Sequence, residues 1–191
     1  DLDFTTDLPK EAIMAFTQTA IEKISPHFPS ITISNLKTLT GISQKISYKS
    51  DLSTQPLSVK LDFSQRESVF FTKKGVIKTN LPINFTVVVT HLDYPEILAE
   101  KWRAITTRFK GRDLYDFWYL LHKNIPLNKE LIQKKLDYYH ESYNPQVLIN
   151  KISDFDQKQL DSDLRKFLPE SDREIIPLLK SELLSIFTPG N

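Results

Sequence analysis

Hydrophobic and polar positions along this chain change their period part-way. In Asp1-Leu2-Asp3-Phe4, acids alternate with apolar residues, so a strand there sends Asp1 and Asp3 to one face and Leu2 and Phe4 to the other. Asp7 is a plausible cap for a helix with Pro9 in its first turn, and Ile13, Phe16, Ala20 and Ile24 then recur at helical spacing until Ser25-Pro26. Strands are predicted over Ile31 to Leu36 and Ile42 to Tyr48, with a turn around Gly41 between them. After a polar loop from Ser50 to Pro56, Leu57, Val59, Leu61 and Phe63 alternate with Ser58, Lys60 and Asp62, which places Asp62 on the polar face of a half-buried strand. Phe70 to Lys78 and Ile83 to Val89 complete the strands, the latter rich in β-branched residues.

Beyond Thr90 the period becomes helical. Helices are predicted over Pro95 to Arg108, Arg112 to His122, Leu127 to Tyr138, Pro145 to Ile152, Gln157 to Phe167 and Asp172 to Phe187, with Pro169 and Pro189 as stops. The pattern is that of an α+β protein: a mixed sheet layer over residues 1–90 and a helical layer over 91–191. Advancing roughly 100° per residue from Pro95 puts Ile97, Leu98, Ala104 and Ile105 on one face, with Lys101 in the middle of it. A buried ammonium needs an acidic partner, a bound anion or a route to water. Snorkelling of its stem is the plain alternative to a functional role.

Composition narrows the class. A hydrophobic fraction of 40%, with 12 Phe, 7 Tyr and 2 Trp, is enough for a core. No apolar run approaches the roughly 20 residues of a membrane span, and no secretory signal is visible. The absence of cysteine removes thiolate chemistry and disulfides and fits a cytoplasmic setting. The net charge of +1 says little about partners, but its distribution says more. Lys101, Arg103, Arg108, Lys110 and Arg112 form a basic run suited to phosphate-bearing ligands, or to a solvated helix face. The stretch from Asp154 to Asp163 is acidic.

Candidate chemistry is confined to a few places. An Asp-x-Asp pair on a strand holds carboxylates about 6.5–7 Å apart at the backbone, from which side chains can converge on divalent cations. Mg²⁺ suits such a set, and Asp62 on a neighbouring strand would be a third carboxylate. An edge strand with its polar face in water explains the same pattern. Asp113 and Asp116 are three apart and share a helix edge, and Asp113 also lies in the first turn, where the helix dipole favours an acid. Arg112 can fork onto a carboxylate or a phosphate. Phe117 and Trp118 read as core. The histidines at 27, 91, 122 and 140 have neither ligand spacing nor a triad pattern, and no phosphate-binding glycine loop occurs.

Three stretches carry a resemblance: Asp1-Leu2-Asp3-Phe4, Pro95-Glu96-Ile97-Leu98-Ala99-Glu100-Lys101 and Arg112-Asp113-Leu114-Tyr115-Asp116. In order and spacing they are similar to the signature of the AbiEii/AbiGii toxins, nucleotidyltransferase-like proteins of the DNA polymerase beta-like superfamily. The resemblance covers roughly residues 1–120. It implies a nucleotidyltransferase-like sheet followed by a helical bundle, with Asp1 and Asp3, and less directly Asp62, as Mg²⁺ ligands. Lys101 would hold the triphosphate, and Asp113 or Asp116 would be the catalytic or orienting acid, with Asp113 slightly favoured. Arg112 and Asp116 would belong to the same nucleotide-binding region.

The activity implied is transfer of a nucleoside monophosphate from a nucleoside triphosphate to an acceptor such as a tRNA 3′ end. Its setting would be a toxin–antitoxin or phage-defence pair with a cognate antitoxin and no membrane. The family carries a Gly-Ser or Gly-Gly element upstream of the Asp-x-Asp strand; this chain begins after that point, so a preceding element is expected to be missing. A metal-dependent nuclease, or an inactive member that binds nucleotide or a partner, would share many of these residues.

Overall fold

The computed structural model describes residues 1–38, 41–50, 53–66, 68–80, 84–108 and 110–187. It divides into two compact units, Asp1–Ser68 and Val69–Asn191. Ile83, expected to open the sixth strand, and Pro189, expected as the last stop, lie outside the described residues.

The first unit contains β1 (Leu2–Thr5), α1 (Lys10–Ile24), β2 (Thr32–Leu36), β3 (Ile42–Tyr48) and β4 (Leu57–Ser64). The strands form one mixed sheet in the order β1-β4-β3-β2, with β1 parallel to β4 and the other pairs antiparallel. Period-two alternation sets its two faces. Leu61 and Phe63 point to the side where Ile42 and Ile13 of α1 are buried, and Phe4 stacks on Phe63 with ring centroids 4.9 Å apart. The opposite face carries Asp3, Asp62 and Ser43 in a row across β1, β4 and β3.

Two local expectations for α1 are corrected. Asp7 does not cap it: Pro9 occupies the capping position with no side-chain bond, and the Leu8 N–H is met by the Thr6 hydroxyl instead. The buried positions are Ile13, Thr17 and Ile21, whereas Phe16 is 71% exposed and Ala20 and Ile24 are exposed as well. A threonine can take the buried place because its hydroxyl donates to the carbonyls of Ile13 and Met14, so no polar group is stranded.

The second unit opens with an antiparallel ribbon, β5 (Thr72–Thr79) and β6 (Phe85–Leu92). It continues through α2 (Tyr94–Thr107), α3 (Gly111–His122), α4 (Lys129–Asp137), α5 (Pro145–Asp154), α6 (Gln157–Leu164), a 3-10 turn (Glu170–Ile175) and α7 (Leu179–Phe187). The ribbon belongs to the helical unit, and Glu96 of α2 accepts the N–H groups of Phe70 and Phe71 at its root. The single helix expected over Asp172 to Phe187 is instead the 3-10 turn and α7. Pro177 lies between them, and it has no N–H to continue a helix.

The helical core is built around Trp102 and Phe117, both fully buried and meeting edge to face at 6.1 Å. Leu98, Leu114, Ile132, Leu136, Leu148 and Ile152 surround them. Trp118, expected in the core, is only half-buried and lies at the rim against His122.

Gly41 shows how tightly the first unit is turned. Its φ is +72°, and a Cβ there would stand 2.3 Å from the Phe63 carbonyl oxygen. Gly41→Ala is therefore expected to cost about 1–3 kcal/mol. The check is the urea midpoint followed by circular dichroism, which should fall.

Candidate active-site residues

α2 ends at Thr107, and only three residues separate it from α3, so the last turn of one helix faces the first turn of the next. Arg108, at the end of α2, has left the helix for extended backbone (φ −140°, ψ 158°). Its guanidinium turns onto Asp113: Nε donates to Oδ2 at 2.8 Å and a terminal nitrogen donates to Oδ1 at 2.8 Å. Lys101 donates to the same Oδ1 at 3.3 Å and pairs with Asp116 Oδ2 at 2.6 Å.

Thus the lysine on the apolar stripe has acidic partners, both from α3. Its side chain keeps 22% exposure, Asp116 keeps 42% and Asp113 none. The two acids differ accordingly: Asp113 is a buried carboxylate clamped by two cations, whereas Asp116 is open to water. Burial raises the Asp113 pKa, but the Arg108 hydrogen bonds and the nearby Lys101 charge outweigh it and hold the carboxyl below its ordinary range.

Arg112, which could fork onto a carboxylate or a phosphate, is exposed, and the fork onto Asp113 is made by Arg108. Arg108 was visible in the sequence only as one member of a basic run. A second ion cluster was missed altogether. Lys135 of α4 is fully buried, with its ammonium 2.5 Å from Glu96 and 3.2 Å from Glu100. The signal was the one that singled out Lys101, a lysine among apolar neighbours, here Leu131, Ile132 and Leu136. Glu96 and Glu100, four apart on α2, supply the compensation.

On the sheet of the first unit, Asp3 and Asp62 are direct partners on adjacent parallel strands and face the same side. Strand spacing places such neighbours roughly 4.8 Å apart at the backbone, close enough for both carboxylates to meet one cation. Lys60 already sits 2.6 Å from Asp62. Burial raises the Asp62 pKa, but the Lys60 hydrogen bond and charge more than offset this, so its carboxyl stays below the usual value. Asp1 precedes β1 and is exposed. Among the described residues no group of three or more acids, histidines or cysteines is gathered for a metal ion. The pair Asp3 and Asp62 nevertheless suits Mg²⁺, which needs only one or two protein carboxylates when water and substrate phosphate supply the rest.

Among protein-family models, that of the nucleotidyl transferase AbiEii toxin of type IV toxin–antitoxin systems matches residues 1–181. The chain belongs to this family. The match extends well past the motifs, through α6 and the 3-10 turn into α7. No curated protein matches the chain in sequence. In structure it is similar to JHP933 from Helicobacter pylori, a crystal structure, at 14% identity and a TM-score of 0.45. That alignment covers 97% of this chain and 75% of the other. No helix among the described residues is long and apolar enough to cross a membrane.

The ion cluster yields two stability predictions. Asp113→Ala should destabilise the fold by about 3 kcal/mol, the low end for a broken buried pair because both cations can reach water. Asp116→Ala, which loses one exposed bridge, should cost less than about 1 kcal/mol. Because the Asp113 pKa is depressed in the fold, its contribution is present above the unfolded value of about 3.9 and is lost as pH falls through the folded value. Urea midpoints measured from pH 7 down to pH 2 should therefore fall less steeply below about pH 4 in Asp113→Asn than in the wild type.

Proposed function

We propose that the chain is a Mg²⁺-dependent nucleotidyltransferase that moves a nucleoside monophosphate from a nucleoside triphosphate to an RNA acceptor, such as a tRNA 3′ end. Family membership supports the reaction class, and the observation that carries the residue assignment is the side-by-side placement of Asp3 and Asp62 on one polar sheet face. Asp3 and Asp62, with Asp1 alongside in sequence, would hold Mg²⁺. Bound there, the ion would neutralise phosphate charge and lower the pKa of an attacking hydroxyl.

The protein's own residues have separate tasks. Lys101 is a point charge suited to a β- or γ-phosphate, and it keeps a path to solvent. Asp113, held by Arg108, fixes where that ammonium stands and is the orienting acid in this reading. Asp116 is the more open acid beside the same ammonium, and Arg112 is an exposed phosphate-binding guanidinium. In the reaction an acceptor hydroxyl attacks the α-phosphorus, its proton passes to solvent base, and the bond to the bridging oxygen breaks with release of pyrophosphate. Positioning and charge stabilisation supply most of the catalysis. A toxin of this kind would act in the cytoplasm of its host, opposed by a cognate antitoxin and serving in phage defence.

The test is transfer of label from a nucleoside triphosphate to RNA in the presence of Mg²⁺. Lys101→Ala and Asp3→Ala should each lower labelling by about two orders of magnitude, as removal of one charge-stabilising group does elsewhere. Labelling that survives both substitutions would refute the assignment, and RNA breakdown without any triphosphate would identify a nuclease instead.

A further inference from the structure

Tyr115 lies inside the Arg112–Asp116 motif, yet none of the roles assigned above uses it. It belongs to a stripe along the outer side of α3: Arg112, Tyr115, Tyr119 and, just past the helix, Lys123, spaced three, four and four residues apart. Helical geometry keeps such residues within one narrow sector. Arg112, Tyr119 and Lys123 are exposed, Tyr119 at 45%. The Tyr115 and Tyr119 rings are nearly parallel, 19° between planes and 6.4 Å between centroids. The Lys123 ammonium lies 4.9 Å over the Tyr119 ring. Tyr94, exposed at the start of α2, is close enough to Lys123 to interact electrostatically.

Tyr119 is exposed, while Tyr115 is partly buried at the edge of the helical core. Here the two tyrosines are flanked by cations along one helix edge, in the order Arg112, Tyr115, Tyr119, Lys123. Parallel aromatic faces flanked by guanidinium and ammonium groups match a ligand with flat π-faces and a negative backbone. We propose that this edge of α3 is a ledge on which bases of a single-stranded RNA stack, with Arg112 and Lys123 meeting its phosphates. The inference rests on the reading of the protein as an RNA-modifying transferase and names where the single-stranded acceptor lies. A base would take the place of the Lys123 ammonium over Tyr119, leaving that flexible charge beside the adjoining phosphate. Two acids stand near Tyr115, Asp116 and Asp172. Asp116 is paired with Lys101, and Asp172 is the other negative charge beside this end of the ledge.

The experiment is fluorescence anisotropy of the full chain with a fluorescein-labelled single-stranded RNA oligonucleotide, alongside a separate titration of a nucleoside triphosphate. Tyr119→Ala should weaken RNA binding about tenfold and Tyr119→Phe should restore it, since stacking needs the ring and not the hydroxyl. The Arg112→Gln, Lys123→Gln double variant should lower the salt slope by about 1.4, two contacts at roughly 0.7 each. Asp172→Asn should tighten binding. Triphosphate affinity should be the same in Tyr119→Ala as in the wild type. Wild-type affinity in Tyr119→Ala, or a duplex bound as well as the single strand, would overturn the ledge. RNA binding that depends on Tyr119 in a protein that transfers no nucleotide would uphold the ledge while refuting the transferase reading.

Discussion

A carboxylate with no exposed surface has to be met by donors, and the corner between α2 and α3 is arranged around that requirement at Asp113. The Arg108 fork occupies both of its oxygens, and Lys101 shares one of them. Many features nearby follow. The link between the helices is short, and Arg108 leaves helical geometry at its start. Lys101 can stay on a largely apolar face because its charge is answered from α3. Desolvating a carboxylate costs several kcal/mol, so the arrangement holds only while the donors are in place. That same condition fixes the ammonium in space and leaves it partly open to water. This separates it from Lys135, whose charge is closed off by Glu96 and Glu100 and serves to join α2, α4 and the root of the ribbon.

The two lysines therefore make a useful contrast. Both interrupt apolar helical faces, and both are paired with two acids. Only Lys101 keeps a path to solvent, and only it has a half-exposed carboxylate, Asp116, for a partner. An ammonium that can exchange an exposed carboxylate for a phosphate is suited to ligand binding. One buried between two glutamates is suited to holding a fold. On the sheet, Lys60 pairs with Asp62, the acid proposed above to hold Mg²⁺, and helps keep its carboxyl ionised.

Much of this was legible in the sequence. Strong alternation in Leu57 to Phe63 placed Asp62 on the polar face, and the strand of Asp3 proved to be its direct neighbour. The helices from Pro95 onward were visible from their period. What was not legible depended on tertiary partners. Thr17 is buried in place of Phe16 because backbone carbonyls satisfy its hydroxyl. Pro177 splits a stretch whose apolar spacing alone looked continuous. Arg108 rather than Arg112 forks the carboxylate, because the choice is made by the direction in which the chain leaves α2. Lys135 carries the same sequence signal as Lys101, a lysine among apolar neighbours, but lies in no motif, and only its tertiary partners Glu96 and Glu100 distinguish it.

The central claim is that Asp113 holds Lys101 in place as a phosphate-binding cation. Calorimetric titration of a nucleoside triphosphate with Mg²⁺ into wild type, Lys101→Met and Asp113→Asn tests it most directly. Saturable binding by the wild type, weakened at least about tenfold in both variants while each remains folded, is the predicted result. Equal affinity in all three proteins would contradict the account.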